Sequence, residues 1–171
     1  IIPDMLMTYP ENNDVTSPSI AFINDNVTDW QTLALAAQAT GLTVIGLDSQ
    51  QNGLSQINDY LRQHNLTDLS ALHIFSHGSS GAVQIGNLTL NTDNLSDYQT
   101  TLTQIGNALN ENGDILLYGC DVAQGQRGID FIGKLANLTH ADVAASNNLT
   151  GASALGGDWV LETHSGIVET P

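Results

Sequence analysis

Positive charge is the scarcest thing in this chain. Lys and Arg together number 3 in 171 residues, against 18 Asp and Glu, for a net charge of -15. Nucleic-acid binding needs a basic stripe to neutralise phosphates, and three scattered cations cannot build one. An anionic membrane surface repels the chain for the same reason. No stretch approaches the length of apolar sequence that a bilayer-spanning helix needs. Cysteine is nearly absent too: Cys120 stands alone, which excludes an intramolecular disulfide and any Cys-based zinc site. Nucleic acid and membrane insertion are therefore set aside as partners.

Charge of either sign is sparse, at 12% of residues, and Asn, Gln, Ser and Thr cover most of the surface instead. Apolar residues make up 41%, enough for a core, so a disordered reading fails despite the imbalance. An acidic, Lys-poor chain stays soluble where divalent cations are plentiful, which points to an extracellular or salty habitat. The spare carboxylates suit hard cations such as Ca²⁺. No D-x-[DN]-x-[DN]-G loop is present, so no metal ligands are assigned; Ca²⁺ enters as an optional activator, with no cofactor required. The opening Ile1-Ile2-Pro3-Asp4 has no Met start or signal-like apolar region, and reads as the beginning of an excised piece of a larger precursor. N-x-[ST] sequons at Asn26, Asn65, Asn87, Asn94, Asn137 and Asn148 read as turn and cap chemistry rather than glycosylation.

Residues 1–18 hold Pro3, Pro10 and Pro18, three of the four prolines, show no period, and read as an extended N-terminal arm. Beyond them, apolar runs alternate with helical patterns. Strands are expected at 20–23, 43–48, 71–76, 114–118 and 141–146. Helices are expected over about 28–39 (capped by Thr28 or Asp29 and ended by Gly41), 54–64, 95–109 and 129–138. A hairpin over 83–90 turns at Gly86-Asn87, and a second, over 158–169, turns at Ser165-Gly166. Near-continuously apolar strands alternating with helices specify a mostly parallel sheet covered by helices on both faces, a three-layer α/β sandwich with a C-terminal hairpin. Residues 19–171 form one such domain.

Sites in open α/β sheets form beyond the carboxyl ends of the strands. The reactive residues at those ends are Asp48, His77, Cys120 and Ser146. His77 follows one apolar strand and Cys120 follows another with one helix between them. If the two strands are neighbours, the crossover delivers both side chains to one sheet edge. A thiol and an imidazole within reach are the minimum for nucleophilic cysteine catalysis. Gly78 lets the backbone turn beside a substrate and offers its N–H to a developing oxyanion, with the Cys120 N–H as second donor. Gly119 permits the bend that exposes the sulfur. The bland readings stand alongside: a buried, inert Cys120, a core His73, and Asp48 as a turn cap. Asp121 reads as a solvated loop acid.

Ser76-His77-Gly78 after one strand and Tyr118-Gly119-Cys120 after the next resemble the His-Gly and Cys arrangement of caspase-like (clan CD) cysteine peptidases. Residues 20–168 are also similar to an uncharacterised domain near the start of very large bacterial surface and secreted proteins. That second resemblance is carried by Leu72 to Gly78, Ile115 to Cys120 and Leu155-Gly156-Gly157-Asp158-Trp159. The first resemblance implies a caspase-like fold and a cysteine endopeptidase: Cys120 as nucleophile, His77 handling protons, Gly78 and Cys120 amides at the oxyanion. The substrate is then a polypeptide, the parent chain included, and the location the bacterial surface or exterior. The Gln-Ala-Cys-x-Gly caspase signature is absent, and no arginine is placed to read Asp. The substrate pocket is either acidic, for Arg or Lys, or apolar, with Asp48, Ser146 and Asp158 as lining. Two rivals remain: an inactive relative serving a large adhesin in secretion, anchoring or partner binding, and a small-molecule hydrolase or transferase at the same edge.

Overall fold

The computed structural model describes residues 19–28, 30–119 and 121–145 in full, and the backbone of 163–165. In chain order the elements are β1 (Ser19–Asn24), α1 (Trp30–Ala39), β2 (Thr43–Leu47), α2 (Gly53–Gln63), β3 (Leu69–Phe75), β4 (Gly78–Ser79), β5 (Ala82–Ile85), β6 (Leu88–Asn91), α3 (Gln99–Asn107), β7 (Leu109–Tyr118), α4 (Gly125–Thr139), β8 (Asp142–Ala145) and β9 (Thr163–Ser165). A single 3-10 turn, Leu95–Tyr98, leads into α3.

The main sheet runs β2-β1-β3-β7-β8-β9. Its first five strands are parallel, and β9 is antiparallel to β8. Period-two alternation assigns the two faces. Phe22, Leu72, Ile74, Ile115, Leu117 and Val143 point to one face and bury against Ile57 and Leu61 of α2, Leu102 and Ile105 of α3, and Phe131, Ile132 and Leu135 of α4. Ala21, Ile23 and Phe75 point to the other, under Trp30, Leu33 and Ala34 of α1. Strands buried on both faces must be apolar at nearly every position, which is why the runs read as continuous rather than alternating. The α/β class with a mostly parallel, helix-flanked sheet is as the sequence indicates.

Boundaries differ where tertiary contacts override local pattern. The helix expected over 95–109 is a 3-10 turn followed by α3, and β7 begins at Leu109 instead of Asp114, because Leu69 pairs with Leu109 and Ala71 with Asp114, leaving 110–113 as a bulge. Helix α4 starts at Gly125, four residues early. The hairpin at 83–90 forms as β5 and β6 around Gly86-Asn87, with Gly86 at a φ of 64° that suits glycine. Ser165, expected to begin a turn, is instead strand: Thr163 to Ser165 pair with Ala145 to Val143. The arm at 1–18 and the flanking runs 158–162 and 167–169 lie outside the described residues.

Candidate active site

Strands β3 and β7 are direct neighbours, in a register that sets Phe75 beside Tyr118. The segments leaving their carboxyl ends therefore start side by side, and they stay together. Ser76 N–H donates to Tyr118 O at 3.3 Å and Gly81 N–H to Val122 O at 2.9 Å. The Ser80 hydroxyl donates to Gln124 O at 2.7 Å. Gly119 sits tightly between the two segments: a Cβ there would stand 3.1 Å from Val122 Cγ2, 3.2 Å from Gly78 N and 3.3 Å from Gly78 Cα. Cys120 itself lies outside the described residues. On the near side of that position Gly119 approaches Gly78, and two residues beyond it Val122 O accepts from Gly81 N–H.

His77 is exposed at the mouth of this arrangement. Its Nε2 lies 2.9 Å from Asn26 O, in the segment between β1 and α1. A carbonyl only accepts, so Nε2 carries a proton, and Nδ1 is the nitrogen that gains or gives one. Asn26 is held in turn. The Nδ2 of Asn24, at the end of β1, donates to Asn26 Oδ1 at 3.3 Å and to Gly86 O at 3.2 Å, while Gly86 N–H donates to Asn24 Oδ1 at 2.8 Å. Asn24 is fully buried. This amide thus ties three elements together: the β1 end, the segment that holds the imidazole, and the β5–β6 turn. The sequence reading passed over Asn24 and Asn26; the available signal was a run of short polar side chains, Asn24-Asp25-Asn26, ending an apolar strand, the usual chemistry of a strand-to-turn exit.

The chain turns sharply after the cysteine position. Asp121 takes a left-handed φ of 56°, and Gln124 N–H closes the turn onto Asp121 O at 2.9 Å. Asp tolerates that region better than branched residues do. On the other side, His77 O accepts from Gln84 N–H at 2.8 Å, and Gly78 pairs with Val83, so β4, β5 and β6 form a small sheet directly beside the imidazole. His77, Gly78, Ser79, Ala82, Val83, Gln84 and Thr89 line a cleft of about 190 Å³ there.

Asp48 is not brought to this place. It ends β2, with β1 standing between β2 and β3. Its Oδ1 accepts from Gln50 N–H and its own N–H donates to Gln56 Oε1, both at 2.8 Å, so it organises a turn. Ser146 and Asp158 lie outside the described residues. Among the described residues, no group of three His, Asp or Glu side chains is placed to hold a metal ion.

Residues 20–171 match the family described as Domain of unknown function (DUF4347). The chain belongs to this family. Among solved structures it is similar to caspase-1 from Spodoptera frugiperda, at 14% identity, with a TM-score of 0.38 over 86% of this chain and 71% of the caspase. No curated protein matches it. The match to this DUF4347 family takes in both β3 and β7, so the His77-Gly78 and Gly119-Cys120 segments lie within the matched residues.

Beneath the site, the DUF4347 domain carries a polar pair inside its core. His73 is 6% exposed, its Nδ1 is 3.1 Å from the Tyr118 hydroxyl, and the two rings lie nearly parallel with centroids 5.8 Å apart. Tyr118 also stacks on Phe75 at 4.4 Å. Burial lowers the His73 pKa to about 4, against a weaker opposing pull from the Asp114 charge, and burial pushes the Tyr118 hydroxyl up to about 12. Both groups are neutral at physiological pH, so this pair packs and aligns β3 with β7 instead of exchanging protons.

Proposed function

We propose that this DUF4347 domain is a cysteine endopeptidase of caspase-like architecture, with Cys120 as nucleophile and His77 as proton carrier. One observation carries the reading: the segments holding His77-Gly78 and Gly119-Cys120 leave adjacent parallel strands and remain hydrogen-bonded to each other on both sides of the cysteine position. The resemblance of the two motifs to clan CD peptidases adds to it.

In this reading the Cys120 sulfur attacks the carbonyl carbon of a peptide bond, and its proton passes to His77 Nδ1. The carbonyl oxygen becomes an oxyanion facing the Gly78 and Cys120 amides. The C–N bond then breaks as Nδ1 returns the proton to the leaving amine, and a thioester remains. Water attacks the thioester, giving one proton to Nδ1; the C–S bond breaks, the carboxylic acid leaves, and the proton restores the thiol. The Asn26 carbonyl keeps Nε2 protonated throughout and supports the imidazolium when it forms.

The acid-rich, Lys-poor composition supports a working place outside the cell; the bacterial surface, and a larger precursor that is itself a substrate, enter through the resemblance of residues 20–168 to the domain near the start of very large bacterial surface and secreted proteins. Ca²⁺ belongs to the proposal as an activator; equal cleavage rates in Ca²⁺ and in chelator remove that part.

The test is reaction of the folded chain with iodoacetamide and peptidyl acyloxymethyl ketones, the adduct being located by mass spectrometry. Rapid labelling of Cys120 that drops to the free-thiol rate in His77→Ala, with cleavage abolished in Cys120→Ala, is expected. A sulfur that labels only after denaturation sinks the reading and favours the inactive adhesin module.

A further inference from the structure

We propose that the cleft beside His77 receives an uncharged polar side chain of the substrate, so that cleavage occurs next to Gln, Asn, Thr or Ser and not next to a charged residue. The inference deepens the peptidase reading and rests on it. It is an alternative to the acidic and apolar pockets expected from the sequence, whose Ser146 and Asp158 lie outside the described residues.

The cleft is the outer face of the small sheet. Along β5, Val83 and Ile85 turn inward and are buried, leaving Ala82 and Gln84 on the opposite side. Register pairs Gln84 with Thr89 and Ala82 with Asn91, so β6 presents Thr89 on that same outer face. Gln84 and Thr89 therefore stand together, with His77 and Gly78 at the near end of the cleft. A substrate whose scissile carbonyl reaches the Gly78 amide has this cleft beside it.

What the walls offer decides the chemistry. Among the described residues that line the cleft, His77 is the only titratable one, and it is committed to Asn26. An ammonium or guanidinium here meets no carboxylate and a carboxylate meets no fixed cation, so a charged side chain gains no partner in the cleft that its water did not already supply. Asp48, the acid expected to line a pocket for Arg or Lys, is occupied in its own turn on the far side of β1. An apolar side chain would cover the Gln84 amide and Thr89 hydroxyl without answering them. Neither group has a side-chain hydrogen bond elsewhere in the described structure. The amide supplies a donor and an acceptor, and the hydroxyl supplies either. A neutral side chain carrying an amide or hydroxyl satisfies both. Sites built to hydrogen-bond a substrate discriminate more sharply than apolar ones, because a mismatched substrate leaves their polar groups unpaired.

The experiment uses the full chain and a set of acyl-dipeptidyl acyloxymethyl ketones that differ only in the residue next to the ketone: Gln, Thr, Leu, Arg or Asp. The Cys120 thiolate displaces the carboxylate leaving group, and the rate is read by intact mass. The Gln and Thr probes are expected to label at least about tenfold faster than the Arg, Asp and Leu probes. Gln84→Glu is expected to raise the Arg-probe rate by about fivefold, the scale of one half-solvated charge pair, and Thr89→Val to slow the Thr and Gln probes alone. Fast labelling led by Arg, Asp or Leu overturns the subsite and leaves the peptidase reading standing. Neutral preference that is indifferent to both substitutions overturns the assignment to Gln84 and Thr89. No probe exceeding the free-thiol rate overturns the peptidase reading, and the subsite with it.

Discussion

The amide nitrogen of Gly78 lies where a Cβ on Gly119 would come within 3.2 Å of it. Two glycines, one opening β4 and one just past the end of β7, thus let two backbones meet at the sheet's edge. Room for a side chain at Gly119 exists only if the segments separate by a few tenths of an ångström. Gly119→Ala is expected to destabilise the fold by about 1 kcal/mol and Gly119→Val by about 2–3 kcal/mol. In both, Cys120 labelling should slow more than stability falls. Thermal melts read beside labelling rates check this; a wild-type rate in Gly119→Val breaks the link between the close approach and reactivity.

Asn24 reaches the imidazole through Asn26: its amide donates to Asn26 Oδ1, and the Asn26 main-chain O accepts from His77 Nε2. Replacing Asn24 with Leu leaves the Gly86 N–H and C=O without partners in the interior, at a cost of about 2–4 kcal/mol. Asn24→Asp keeps the acceptor for Gly86 N–H and loses the donors. Its carboxylate then faces Gly86 O and Asn26 Oδ1 in the interior, so at neutral pH it should be at least as destabilising as Leu in chemical denaturation, and both should broaden the His77 ring resonances in NMR spectra. Equal stability of Asn24→Leu and the wild type contradicts the role given to this amide.

Asp121 follows the cysteine with a φ of 56°, and conformation is what that position demands. Asp121→Gly is expected to match or slightly exceed wild-type stability, Asp121→Asn to be neutral, and Asp121→Val to lose about 1–2 kcal/mol. If Asp121→Asn instead abolishes a Ca²⁺ response, the carboxylate has a binding role that the turn geometry does not require.

Acid should loosen the fold through His73. Its folded pKa, about 4, lies below the unfolded value of 6.5, so between these the unfolded chain binds the extra proton. Stability from this group is complete above pH 6.5 and is lost as pH falls toward 4, by about 3 kcal/mol in all. Denaturation midpoints across that range should slope less in His73→Gln than in wild type. Parallel slopes refute the assignment.

Legibility in the sequence followed the range of the interactions. The five core strands were readable because burial on both faces leaves its mark in every residue, as in Ile20 to Ile23. The Gly86-Asn87 turn was readable because φ demands show locally. The Asp48 turn was readable as well, its side chain bonding two residues ahead. By contrast β4 is two residues long and has no period to detect, and the bulge at 110–113 depends on where Leu69 finds Leu109. His77 and Cys120 stood out by residue type and neighbouring glycines. The pairing of β3 with β7, which brings the segments carrying them to one sheet edge, and the bond from His77 to Asn26 arise from strand order, which no local stretch encodes.

The pairing of β3 with β7 also sets a schedule. Phe75 and Tyr118 meet across a 43-residue separation (118 minus 75), with a small sheet and a helix in between. Contacts of such long range form late, since the intervening chain must be closed into a loop before they are rewarded. The His77 and Cys120 segments become neighbours only at that moment. In the peptidase proposed above, a chain still emerging, in transit or partly unfolded carries Cys120 and His77 without the sheet that aligns their segments, so the proposed cleavage waits until β3 and β7 have paired.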